Sequence, residues 1–366
     1  MASFLPRIEI SLSQIRDNAR MLSDLYGRQG ISLMGVSKAV LGEPAIAEAM
    51  IQGGVKFIAD SRLENIQKMK AAGVAARFVL LRTAASQAEA VVQMVDISLN
   101  SEVEVLKKLS YYARACNQNH QVIIMVELGD LREGILPRDL SPFIREILRL
   151  PCIEIIGIGC NLACYGGIKP DHKNMRALSE QADCLEKEFQ LDLQVISGGN
   201  SANHGWFNAA DDVGRINNLR LGESILLGCE TVDRKAIPGL HTHAFQLFAE
   251  VIEAKYKPSL PFGEIGQDAF GNVPNFQDRG IRQRAIIALG KQDIAAAGLQ
   301  SNHGLEILGS SSDHMILDGK HHPFRVGEAV NFDLDYGGLL AAMTSPFIKK
   351  QFVSCHHRGA AKVPGH

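Results

Sequence analysis

From about residue 30 to residue 230 this chain repeats a single unit, and that repetition limits the folds open to it. A short apolar run rich in β-formers ends in a polar residue, and a helical stretch follows. The runs are Leu33-Met-Gly-Val36, Val55-Lys-Phe-Ile58, Phe78-Val-Leu-Leu81 and Val95-Asp-Ile-Ser98, then Val122-Ile-Ile-Met-Val126, Ile153-Glu-Ile-Ile-Gly-Ile158, Leu193-Gln-Val-Ile196 and Asn218-Leu-Arg-Leu221. Between them, segments such as 102–115 and 174–189 place apolar residues at helical spacing. Eight strands alternating with helices over about 200 residues predict an α/β fold, a (β/α)8 TIM-type barrel. A two-sided open sheet is the runner-up. The polar residues at the strand exits are Lys38, Asp60 with Arg62, Arg82, Asn100, Arg132, Asn161, Asn200 with Ser201, and Arg220. In a barrel these converge on one mouth, where active sites lie.

After Gly228 the helical period fades. Strand-like runs appear at 248–252, 284–289, 305–308, 315–317 and 329–333, punctuated by Pro258, Pro261, Gly263, Gly266, Gly271 and Pro274. This predicts a C-terminal all-β domain. Pro6 to Leu12 alternates like a strand and is expected to join that domain from the other end of the chain. The expected organisation is residues 1–12 as that strand, 13–230 as the barrel, 231–353 as the β domain and 354–366 as a flexible tail. At 366 residues the chain has room for two such domains.

A net charge of −2 implies no nucleic-acid or acidic-surface partner. Charged residues interrupt every apolar segment before a membrane-spanning length, and the first residues lack the apolar core of a signal peptide. Seven scattered cysteines, an odd number without metal-type clustering, fit free thiols in a cytoplasmic protein. The histidines near the end, in Cys355-His-His-Arg and Pro364-Gly-His366, are not periodic. No metal role is assigned to any residue.

Lys38 ends the first barrel strand. A lysine there is costly unless its amine has a task; desolvation lowers its pKa, and a neutral amine attacks carbonyls. The aldehyde of pyridoxal phosphate (PLP) is the obvious partner, and a lysine snorkelling from a strand end is the alternative. After the seventh strand, Ser197-Gly-Gly-Asn-Ser-Ala-Asn203 frees backbone to approach an anion and adds the Ser201 hydroxyl. After the eighth comes Arg220-Leu-Gly-Glu-Ser224. Loops in these two places often bind phosphate in barrels. Arg220 cannot accept a proton from a pyridine nitrogen. Beside PLP it makes the ring a weaker electron sink, which suits proton removal and return at Cα. A surface ion pair is its alternative reading.

These segments resemble the alanine racemase-type, fold type III PLP enzymes. Ile8 to Asn18 resembles their first strand and helix, Val36-Ser-Lys-Ala39 their lysine motif, Asn218 to Glu223 their arginine-glycine motif and Ser197 to Ser201 their phosphate-loop serine segment. The likeness is strongest to the ornithine racemase branch, through 57–62, 126–134, 157–166, 258–266, 268–272 and 305–314. It implies a PLP-dependent amino-acid racemase, a homodimer with sites at the barrel/β-domain interface, in which Lys38 forms the internal aldimine. Implied cofactor contacts are Lys38, Arg132, Asn161, Asn200, Ser201, Arg220, Gly222, Glu223 and Tyr336. The tyrosine that alanine racemases use as second base has no counterpart at Gly290-Lys-Gln-Asp293. Their carbamylated lysine corresponds to Glu127, a carboxylate able to pair with Arg132.

The expected reaction interconverts L- and D-ornithine. Lys38 serves one face of Cα. Asp313 and His314 are first candidates for the other face, Asp293 is next, and Cys160 is a barrel-side outsider. Arg132 binds the PLP hydroxyl or the substrate carboxylate, its alternative being a salt bridge with Glu127 or Asp130. Glu264 and Asp268 are candidates for the distal ammonium of a basic substrate, each otherwise a turn residue. The competing readings are an alanine or lysine racemase of the same mechanism, a D-threonine aldolase-like lyase, a non-catalytic PLP-carrier protein, and a decarboxylase of the same architecture.

Overall fold

Every strand of the repeat is bounded by a helix that covers it, as buried parallel strands require. The computed structural model describes residues 5–301, 304–320 and 322–354. The chain starts with β1 (Arg7–Ser11) and α1 (Leu12–Gly27). The alternation follows as β2 (Ser32–Val36), α2 (Pro44–Gln52), β3 (Phe57–Asp60), α3 (Leu63–Ala71), β4 (Arg77–Leu80), α4 (Ala88–Met94), β5 (Ile97–Asn100) and α5 (Val103–Ala115). It continues as β6 (His120–Met125), α6 (Pro137–Ile147), β7 (Ile153–Gly159), α7 (His172–Phe189), β8 (Val195–Ser197), α8 (Asn203–Ala209), β9 (Asn218–Leu221) and α9 (Glu223–Leu227).

Strands β2 to β9 close in sequence order into a parallel barrel, with β9 paired to β2. Alternate residues fill the inside: Met34 and Val36, Ala59, Val79, Ile97 and Leu99, Ile123 and Met125 belong to one buried cluster. The intervening positions face the helices, and α1 returns the favour with Ile15, Ala19, Leu22 and Tyr26 buried along one stripe. This barrel unit runs from Leu12 to Thr242. It passes residue 230 because Asn18 Nδ2 donates to the carbonyls of both Ile225 (3.0 Å) and His241 (2.8 Å), fastening the exit segment to α1.

The other unit combines the chain's start, through Ser11, with the chain from His243 onward. Its strands are β10 (Phe245–Pro258), β11 (Ile281–Ile287), β12 (Leu299–Ser301), β13 (Glu306–Ser310), β14 (Met315–Asp318), β15 (Ala329–Leu334) and, after α10 (Tyr336–Thr344), β16 (Lys349–Val353). The sheet order is β12-β15-β10-β11-β14-β13, and β1 joins it antiparallel to β10 and parallel to β16. Ile8, Ile10, Phe245, Leu247, Ala285, Leu317 and Phe332 form its buried face. β12, β16 and α10 carry weak sequence signals. β12 has three residues, Lys349-Lys-Gln is polar, and α10 depends on Asp335 capping the Gly338 N–H at 2.7 Å. Residues 355–366 of the expected tail, with Cys355 and His366, lie outside the described residues.

Candidate active site

Several barrel strands deliver a polar side chain at their C-terminal ends. Lys38 follows β2 on a single 3-10 turn, Lys38–Val40. Its side chain is exposed at the barrel end, while the protein atoms around its amine still desolvate it. That burial lowers its pKa; Arg132 and Arg220 push the same way, while Cys164 and Asp60 oppose them. Arg220 lies on β9, the strand paired with β2, in register with inward-facing Met34. It is only 4 % exposed. Its guanidinium donates to Ser197 Oγ (2.6 Å), the Cys160 carbonyl (2.7 Å) and Asn161 Oδ1 (3.4 Å). Ser197 in turn donates to Asn218 Oδ1 at 2.7 Å. Among the described residues no carboxylate pairs with Arg220.

The loops after β7, β8 and β9 are tied to this arginine. Asn161 Oδ1 also accepts from Asn200 Nδ2 (3.1 Å), while the buried Asn161 Nδ2 has no partner. Asn200 Nδ2 reaches the Leu162 carbonyl (2.9 Å), and its Oδ1 accepts from the Ala202 N–H (2.8 Å). Ser201 Oγ lies 3.0 Å from Ser224 Oγ and accepts from the Ser224 N–H at 3.1 Å. Gly222 is the cap of α9. Glu223 is buried, its carboxylate held by Arg234.

Several expectations for the mouth need correction. Arg132 pairs with the adjacent Glu133 in a bidentate contact through its Nε–H and Nη2–H, not with Glu127 or Asp130. Glu127 instead accepts the Gly129 N–H at 2.5 Å. Asp130 is fully buried and accepts backbone N–H groups of Cys164, Tyr165 (2.9 Å) and Ile168, so it splices the loop after β6 to the loop after β7. Cys160 is sealed inside with Sγ on the Gly198 carbonyl, and burial pushes its thiol up to about 12, which removes it as a proton carrier. Asn100 does not face the mouth. It shares the helix-facing side of β5 with Ser98, to which it is hydrogen-bonded at 2.9 Å. Arg62 and Arg82 are exposed, and Arg82 donates to the Ser61 carbonyl. Asp60 is wholly buried.

In the β unit, His314 Nδ1 sits 2.8 Å from Asp313 Oδ1 on the turn between β13 and β14. That contact holds the Asp313 carboxyl below its ordinary pKa. Asp268 accepts the N–H groups of Asn272 (2.9 Å) and Phe270 (2.8 Å), the geometry of a turn residue, which lowers its pKa. Glu264 is exposed in the same loop. Asp293 accepts from Ser345 Oγ (3.0 Å) and the Gly290 N–H, a structural tie. Tyr336 opens α10 and is half-buried.

The roles of Ser224 as partner of Ser201 and of Glu133 as partner of Arg132 escape sequence reasoning. Only the adjacency of Glu133 to Arg132 signals the second.

The model of the alanine racemase N-terminal domain matches residues 10–228. The chain belongs to the alanine racemase family. It is 42% identical to an ornithine racemase of Acetoanaerobium sticklandii, over 95% of this chain and 99% of that protein. It is 39% identical to a lysine racemase of Thermotoga maritima, over 95% and 98%. An alanine racemase structure from Clostridium difficile 630 superposes with a TM-score of 0.74 over 96% of this chain and 97% of its own; at 16% identity this shows the shared fold alone. The chain is an amino-acid racemase, an isomerase of this family. No helix among the described residues is long and apolar enough to cross a membrane.

Proposed function

We propose that this racemase works with PLP held by Lys38 and that it interconverts the enantiomers of ornithine, with lysine as a second substrate. The observation that carries the cofactor is Lys38 just past the end of β2 together with a buried Arg220, without a carboxylate partner among the described residues, on the strand hydrogen-bonded to β2. The unpartnered buried Asn161 Nδ2 adds a donor that suits a ring oxygen, and the Ser201–Ser224 hydroxyl pair adds donors that suit a phosphate. Full-length similarity to ornithine and lysine racemases supports a basic substrate.

PLP, when bound, draws electrons from the Cα of an attached amino acid and acidifies its Cα–H. Lys38, its pKa lowered by burial, takes and returns the proton on one face of Cα. Arg220, itself protonated, would donate to the ring nitrogen and would leave it without a proton, which would favour return of the Cα proton over other fates. Asn200, Ser201, Gly222 and the loop at Glu223 hold the phosphate. Arg132 takes the substrate carboxylate through the same two N–H groups, exchanging Glu133 for it. His314, oriented by Asp313, is the proton carrier assigned to the opposite face. Glu264 and Asp268 are assigned to the distal ammonium, and Tyr336 to the cofactor. The protein is assigned as a cytoplasmic homodimer. Unpaired thiols at Cys116, Cys164 and Cys184 suit a reducing compartment, and exposed Phe262, Val273 and Ile281 suit contact with a second copy.

The test is chiral chromatography of L-ornithine, L-lysine and L-alanine after incubation with protein and PLP, with Lys38→Ala as control. D-ornithine formed fastest, and lost in the control, is the expected result. Fastest D-alanine overturns the substrate, and an active Lys38→Ala overturns the mechanism.

A further inference from the structure

We propose that Asp60 is a positioning residue that aims Lys38 through Ser37, a role that rests on Lys38 being the cofactor lysine. Asp60 ends β3 and is 0 % exposed, as is Ser37, the residue before Lys38. Asp60 Oδ2 accepts from Ser37 Oγ at 2.7 Å. Its Oδ1 accepts from the Arg62 N–H (3.0 Å) and Asn65 Nδ2 (2.9 Å). Ser37 caps the 3-10 turn carrying Lys38, and its carbonyl accepts from Val40 (3.0 Å) and Gly42 (3.2 Å). Gly42 is left-handed, φ +56°, and lies so near Asn65 that a Cβ there falls 2.7 Å from the Asn65 Cβ. The contacts therefore form a closed ring from Ser37 through Lys38 to Gly42, across to Asn65, to Asp60 and back to Ser37. Lys38 is the member of that ring whose side chain leaves it.

A buried carboxylate is an expensive way to hold a turn. Burial raises the pKa of Asp60, and its hydrogen bonds only offset part of that. A simpler polar residue could cap the turn, so the carboxylate's cost points to a demand for accuracy at Lys38. The charged and titratable groups facing the Lys38 amine are Asp60 from β3, Arg132 from the loop after β6, Cys164 from the loop after β7 and Arg220 from β9. The hydrogen bonds of Asp60 run to Ser37, Arg62 and Asn65 rather than to Lys38, so its contribution runs through geometry.

Two measurements on the full chain test this. In the PLP-loaded enzyme, Asp60→Ala and Ser37→Ala each lower kcat about tenfold or more, with KM within about twofold, and the double variant is no worse than the poorer single. Asp60→Asn keeps Oδ1 as acceptor for Arg62 and Asn65 and lets Nδ2 donate to Ser37 Oγ, whose own proton turns to the Ala59 carbonyl 3.4 Å away, so kcat recovers to within about threefold of the parent. Before PLP is added, acetic anhydride labelling of Lys38, followed by peptide mass spectrometry across pH, reports the amine directly. Ser37→Ala leaves every charge in place, so its labelling midpoint rises towards that of an ordinary lysine as the amine moves away from Arg132 and Arg220. Unchanged kcat and labelling in Ser37→Ala and Asp60→Ala, with only a lower Tm, would overturn the proposal in favour of a purely structural carboxylate. An Asp60→Asn variant as poor as Asp60→Ala overturns it in favour of charge. Lys38→Ala separates the two readings: an inactive Lys38→Ala beside a fully active Ser37→Ala removes only the Asp60 role.

Discussion

Replacing Gly134 by Ala strikes the loop that presents Arg132. After β6 the chain leaves the barrel at Glu127 and returns to pair beside its own exit: the Ile135 N–H donates to the Met125 carbonyl and the Glu127 N–H to the Ile135 carbonyl, both at 2.9 Å. Gly134 makes that return with φ +134°. A Cβ at this position lies 2.5 Å from the Glu127 nitrogen, 2.7 Å from the Val126 carbonyl carbon and 3.0 Å from the Glu127 Cα. All three are backbone atoms of the strand exit, so no side chain can swing away to make room. The dihedral alone costs an L-residue about 1–3 kcal/mol. Losing the two hydrogen bonds as the loop backs off adds about 1 kcal/mol each. A total of about 3 kcal/mol or more corresponds to a fall in Tm on the order of 10 °C for a domain of this size. If the loop detaches instead, Tm stays near the parent value while Arg132 leaves its place, and KM for the amino acid rises about tenfold for each 1.4 kcal/mol of lost binding. Thermal unfolding and steady-state racemisation of the Gly134→Ala holoenzyme read both branches. A variant with parental Tm and parental kcat/KM refutes the reasoning.

Further outcomes follow from individual side chains. His120 is 2 % exposed against Ser98 Oγ (2.8 Å), and burial lowers its pKa to about 4. Its folded pKa lies below the unfolded value of about 6.5, so stability is lost as pH falls from about 6.5 towards 4, by up to about 3 kcal/mol. Urea midpoints measured at pH 7 and pH 5 should converge when His120 is replaced by Asn. Iodoacetamide at pH 8 should alkylate the exposed Cys116, Cys164 and Cys184 in the folded protein and spare Cys160 until denaturant is added; early labelling of Cys160 would contradict its burial. Asp268→Ala should raise KM for ornithine much more than for alanine, and equal effects would take Asp268 out of specificity. Arg132→Lys replaces the two-pronged guanidinium fork with a point charge and should lose about tenfold or more in kcat/KM while Tm moves little.

The architecture was legible because its signals are local. A buried parallel strand must be apolar along its length, its covering helix must show a 3.6-residue stripe, and eight repeats leave few ways to bury both. The places of Lys38, Arg220 and Ser201 at strand exits were legible for a related reason: in a barrel, chain position at a strand exit sets position near the mouth. Asn100 shows the limit of that rule, since strand parity turns it towards the helices.

What the sequence by itself determined about this protein is the set of elements, their order and the chemistry carried at their ends. Partnership was decided by the tertiary structure alone. Asp130 was spent on the backbone N–H groups of Cys164, Tyr165 and Ile168, and Asp60 met Ser37 across neighbouring strands. A buried polar atom must find a partner within about 3 Å. Which partner lies that close depends on where the closed barrel sets residues 20 to 200 positions apart, and no local pattern encodes it.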